Sequence, residues 1–188
     1  MRSHILAPLI ALVVAAQACC CCTILGGPQP PYTITPSDEA IRRFEERMAE
    51  AEQSTDDSVT ITITEEEMTS LVAQALAKRE EPSPIGEPQV HFRNGRVEVY
   101  VTVHVADSLA LPSLVAFSIT ATGGELGITV EEIAVGPLPI PKPILETLTD
   151  VLNEELSEAA RFEEIEVVIT DVQVGEGEMT ISGQVQSD

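Results

Sequence analysis

Tryptophan is absent from this chain, and only two tyrosines and four phenylalanines occur among its 188 residues. A core without large rings has to be built from Val, Ile, Leu and Ala. Cysteine is missing from everything after Cys22, because all four lie in the run Cys19 to Cys22. That excludes an internal disulfide and a thiolate metal site in the globular part, and a CCCC run lacks the paired, separated spacing of a zinc site. Positive charge is scarce too. Ten Lys and Arg stand against 31 Asp and Glu, a formal net charge of −21, and every acidic residue lies after Gly27. Phosphate binding needs clustered Lys and Arg, so this balance argues against nucleic acid as a partner. It argues equally against adsorption to an anionic membrane by charge alone, and describes a solvated, self-repelling surface.

Catalytic patterns are missing as well. Ser113, Ser118 and Ser182 lack the Gly-x-Ser-x-Gly elbow. His91 and His104 fall on predicted strands, out of phase with the apolar residues, and read as surface or rim histidines with no His-x-x-His partner. Glu131-Glu132 and Glu163-Glu164 sit at strand irregularities without the ligand alternation of a calcium loop, and read as solvated charge. Glu65-Glu66-Glu67 reads as negative charge that favours a helix N-terminus. The expectation is a non-enzymatic protein with no cofactor, no metal and no catalytic residue.

What is present is one spacing, three times over. Apolar residues alternate with polar ones, a glycine-bearing turn follows, and the alternation resumes in the same phase. The copies are Val90 and Phe92, Asn94-Gly95, Val97 and Val99; Ile119 and Ala121, Gly123-Gly124, Leu126 and Ile128; and Val172 and Val174, Glu176-Gly177, Met179 and Ile181. Each predicts a β-hairpin with a two-residue turn, and the spacing puts the apolar residues on both sides of the turn on one face. Val59, Ile61 and Ile63 predict one further strand. Two strands change phase midway, at Val130 to Ile133 and at Ile169 to Val172, which predicts bulges and a curved sheet.

Two helices have stripes suited to that face. Thr64 and Glu67 make a capping box for the first, with Met68, Leu71, Val72, Ala75 and Leu76 on one side. The second runs from about Lys142 to Ala160, after the rigid Gly136 to Pro141 crossing, with Ile144, Leu145, Leu148, Val151, Leu152, Leu156 and Ala159. The predicted fold class is α+β: a curved antiparallel sheet of about seven strands wrapped over two helices.

The N-terminus divides into residues 1–27, an apolar leader, and residues 28–56, a Pro-rich spacer and a charged helix over Asp38 to Gln53 that reads as a stalk or peripheral element. Residues 57–188 form the α+β domain. Three readings fit the leader: cleavage after Ala18 and free secretion, lipidation of Cys19 at a degenerate lipobox, or an uncut transmembrane span. All place the acidic domain outside the cytoplasm, and two attach it to the membrane.

The ordered set of Val59 to Leu71, the Gly136 to Pro141 crossing into a helix, and the final Val-x-Val-x-x-Gly-x-Met-x-Ile-x-Gly hairpin resembles the YpmS-like and LmeA-like bacterial envelope proteins, over about Asp57 to Val185. The resemblance implies kinship with tubular lipid-binding domains, in which a curved sheet wraps a long helix and leaves an apolar groove. It implies an extracytoplasmic, membrane-attached, non-catalytic protein, and carries over no polar site. The expected activity is binding of a lipid or other hydrophobic ligand. The groove candidates are Val97, Val99, Val101 and Val103 with Leu71, Val72, Leu148, Val151 and Leu152. The alternative is an interaction module of the envelope whose core is fully packed. The partners expected are the ligand and, through the N-terminus, the membrane; nothing in the sequence names a protein partner.

Overall fold

The computed structural model describes residues 26–53, 57–79, 83–106, 109–160 and 167–185. In chain order these form α1 (Asp38–Gln53), β1 (Ser58–Thr64), α2 (Glu65–Ala77), β2 (Ile85–Arg93), β3 (Arg96–Ala106), β4 (Leu109–Thr122), β5 (Glu125–Val135), β6 (Leu138–Pro139), α3 (Lys142–Ala160), β7 (Val167–Val174) and β8 (Glu178–Val185). The protein is α+β, as its patterning predicts. The strands make two antiparallel sheets, β1-β8-β7 and β2-β3-β4-β5-β6, rather than one sheet of about seven strands wrapped over two helices. Local alternation sets each hairpin but carries no information about which hairpin edges join. β1 finds its partner in β8, at the far end of the chain, from Ser58↔Gln184 to Thr64↔Glu178.

Two of the three predicted turns behave as their residues require. Asn94 and Gly95 have φ of 52° and 78°, and Gly123 and Gly124 have 65° and 92°, the doubly positive geometry whose twist matches paired strands. In the third, β7 ends at Val174 and β8 starts at Glu178, so Gly175, Glu176 and Gly177 form the connection, and only Gly177 has a positive φ (82°). Both predicted phase changes are irregularities in register, between Ala116 and Phe117 where β4 meets β5, and between Ile169 and Asp171 where β7 meets β8.

The core lies where the two sheets and α2 converge. Ile63 and Met179 from the first sheet meet Val90, Phe92 and Val97 from the second, with Met68, Leu71 and Val72 of α2 and Phe44 of α1 packed around them. Backbone bonds tie this junction together. Gly177 donates to the Phe92 carbonyl (3.1 Å), and its own carbonyl accepts from the Glu65 amide (3.1 Å).

The α1 helix is no free stalk. Its Ala40 and Ile41 are buried, Arg43 pairs with Glu66 at 2.7 Å, and Arg47 reaches the Thr62 carbonyl at 3.0 Å. A boundary at residue 57 therefore divides segments that share one packed unit. The residues before it, 27–36, do not lead away as a spacer either: they lie as a strap across the second sheet. Gly27 is so close to Pro112 and Gly136 that a Cβ there would stand 2.7 Å from the Pro112 carbonyl oxygen. Further along, Ile34 exchanges two bonds with the Gln89 side chain (2.6 and 3.0 Å). At its end Ser37 accepts from the Ala40 amide and caps α1.

Candidate functional site

Three rows of side chains run along α3 at four-residue spacing, and they meet different surroundings. Leu145, Thr149 and Asn153 face β5. Leu145 is buried, Thr149 Oγ1 accepts from the Val130 amide (3.0 Å), and Asn153 accepts from the Ile128 amide (2.7 Å) and donates to its carbonyl (2.8 Å). These are backbone groups on the outer edge of β5, where β6 pairs only with Ala134 and Val135. The helix thus satisfies a sheet edge that would otherwise be an open template for another strand. Glu146, Asp150 and Glu154 form a second, exposed carboxylate row. Ile144, Leu148 and Leu152, joined by Val151, form the third, and these four side chains are 37–49% exposed.

The predicted groove is accordingly split. Val97 is buried in the core, and the half-buried Val99, Leu71 and Val72 pack against it. Val101 and Val103 are half-buried on β3. Leu148, Val151 and Leu152 lie open on α3. The expectation that the second helix lies over the valine stripe gives way to a helix fastened along the β5 edge. Thr149 and Asn153 make that attachment, by hydrogen bonds to the Val130 and Ile128 backbone groups that no neighbouring strand takes up. A cleft of about 480 Å³ opens elsewhere, between the strap and β2–β3, lined by Pro30, Ile34, Gln89, Tyr100 and Thr102; of the nine groove candidates only Val101 reaches it. Cys19 and Glu163-Glu164 lie outside the described residues.

A second cluster departs from the expectation of surface or rim histidines. His91 is completely buried rather than on a solvated face, whereas His104 is exposed. Tyr32 of the strap stands edge-on over the His91 ring at 4.7 Å between centroids, and Tyr100 flanks it at 5.7 Å. Neither ring nitrogen has a hydrogen-bond partner, and Nδ1 is 3.6 Å from Glu65 Oε1. Burial is the main influence on the imidazole and holds its pKa below the ordinary value; Glu65 and Glu98 pull upward, and Arg93 pushes down. Beside it, burial and the hydrogen bond to Glu98 push the Tyr100 phenol up to about 12. Strand phase located the polar face correctly but could not show that the strap covers it. The tyrosine in a proline-rich segment, Tyr32, was the available signal.

The three glutamates opening α2 also do more than complement the dipole. Glu65 accepts from the Phe92 amide (2.8 Å) and from the Tyr32 hydroxyl. Glu66 binds Arg43, and Glu67 completes the capping box with Thr64 while pairing with Arg47. Successive helical residues point about 100° apart, so three adjacent carboxylates can fasten three different elements.

Among the described residues, no group of three or more His, Cys, Asp or Glu could hold a metal ion, and no helix is long and apolar enough to cross a membrane. No protein-family model, curated protein or solved structure matches the chain.

Proposed function

We propose that this protein binds a hydrophobic ligand, an acyl-chain lipid, without chemically altering it, and that the chains lie along α3 rather than inside a closed tunnel. The carrying observation is the exposed row of Ile144, Leu148, Val151 and Leu152 on a helix otherwise pinned by its polar side chains. Contiguous exposed aliphatic surface is unfavourable in water, and a flexible acyl chain can cover it without needing hydrogen bonds. The half-buried Val101 and Val103 extend the apolar supply on the second sheet. The same reading places the domain outside the cytoplasm, attached through residues 1–27, in the manner of the YpmS-like and LmeA-like proteins; the apolar run Ile5 to Gly27 supports it.

A second reading, a protein-interaction module, is favoured by one observation. The carboxylate row Glu146, Asp150 and Glu154 beside the apolar row suits a helix with a basic rim. Native mass spectrometry of the full chain purified from a lipid-containing host separates the two. Co-purified lipid, lost in Leu148→Asp with the fold intact by circular dichroism, is the expected outcome. A lipid-free protein that also takes up no added phospholipid would leave the interaction module.

A further inference from the structure

We propose that the Gly27–Pro36 strap is an acid-released latch, closed over neutral His91 and opened when that imidazole takes up a proton. The strap is fastened at few points: Gly27 against Pro112 and Gly136, Ile34 on the Gln89 side chain, Ser37 on Ser70, and Tyr32 on His91 and Glu65. Of these, the Tyr32 contact alone rests on an imidazole. Tyr32 itself remains 48% exposed, so it lies over His91 as a cover rather than as part of the core.

His91 is fully buried with both nitrogens unpartnered, an arrangement that suits a neutral ring and leaves an imidazolium without its two acceptors. The surrounding charges do not remedy this. From α2, Glu65 approaches Nδ1 at 3.6 Å, but its oxygens already accept from the Phe92 amide and the Tyr32 hydroxyl. From β3, Glu98 is engaged by Arg96 (2.8 Å) and by the Tyr100 hydroxyl (3.0 Å). Arg93 on β2, whose guanidinium stands 5.5 Å from the Tyr32 ring centre, repels a second cation. On the strap, the Tyr32 phenol is pushed above its ordinary value by its hydrogen bond to Glu65, so it stays neutral while His91 titrates.

Lifting Tyr32 exposes the imidazole to water and returns it towards its ordinary pKa of about 6.5. The open form therefore binds the proton more tightly than the closed one. Closure is fully favoured above about pH 6.5 and is lost as the pH falls through the lower pKa of the closed form. Opening frees ten residues, which can span up to roughly 30 Å when fully extended.

The test is NMR-detected amide exchange on the full chain between pH 7.5 and 5.0, corrected for intrinsic exchange, alongside titration of the His91 ring. Protection of the Ile34 and Ser37 amides should fall about tenfold for each unit by which His91 titrates below 6.5, while Val97 and Val115 in the sheet keep theirs. His91→Phe should keep the strap protected throughout, and Tyr32→Ala should leave it open at both extremes with His91 titrating near 6.5. His91 titrating at or above 6.5 in the native chain would overturn the proposal, and that measurement needs no variant to fold. Strap protection that is flat with pH, or that falls only together with Val97 and Val115, would overturn it too.

Discussion

Phe92 on β2 and Leu148 on α3 are both apolar, both in regular elements and both in phase with an apolar series, yet the first is fully buried and the second 37% exposed. The difference lies in what the neighbouring polar residues hold. Around Phe92, the polar contacts close the junction: Glu65 receives the Phe92 amide, Gly177 receives and donates across the gap, and Glu67 locks α2 to α1 through Arg47. Around Leu148, Thr149 and Asn153 are committed to the strand edge, and that commitment turns the apolar row away from the sheet. One end of the molecule is therefore organised as a core, the other as a surface. A buried apolar residue there contributes to stability, and an exposed one here remains in contact with solvent.

Substitutions should separate the two ends. Phe92→Ala should cost the most, about 3–5 kcal/mol in urea unfolding, since it removes a ring from a site with no exposure. A loss below about 1 kcal/mol would show that the junction is not the core. Glu67→Ala should follow at about 2–3 kcal/mol, because it leaves the Thr64 amide without its acceptor and Arg47 with only the Thr62 carbonyl in place of its buried carboxylate. Burial pushes the Glu67 carboxyl up, but Arg47 and the Thr64 groups outweigh it and hold its pKa below the usual carboxylate value. Its contribution is thus complete above about pH 4.5 and declines as the pH falls through the lowered pKa. The stability gap between native protein and Glu67→Ala should narrow over that acid range.

At the other end, Asn153→Ala should cost about 1–2 kcal/mol and raise exchange at the Ile128 amide, which loses its acceptor. Unchanged exchange there would mean that α3 does not protect the edge. The smallest stability effect should be Leu148→Ala, below about 1 kcal/mol because the side chain is already partly solvated, with a disproportionate loss of lipid uptake. A stability loss as large as that of Phe92→Ala would erase the distinction between the two ends.

Much of the architecture was legible along the chain. Period-two alternation with Asn-Gly and Gly-Gly turns located the hairpins, the phase changes located both irregularities, and Thr64 with Glu67 located the start of α2. These features depend on residues within a few positions of one another, where covalent geometry limits the choices. Of the site, only the residue types were legible. Val97 and Leu148 both belong to apolar series, and their opposite fates depend on partners many residues away.

His91 makes the same point for a polar residue. Strand phase by itself determined that it faces away from the valine stripe, with Glu98 opposite it in register. Only the tertiary structure decided that this face is covered, by Tyr32 arriving from a strap some sixty residues earlier. Period and turn chemistry determine which residues share a face, because they act locally through the backbone. What comes to lie against that face is settled by long-range packing, which the local pattern does not encode.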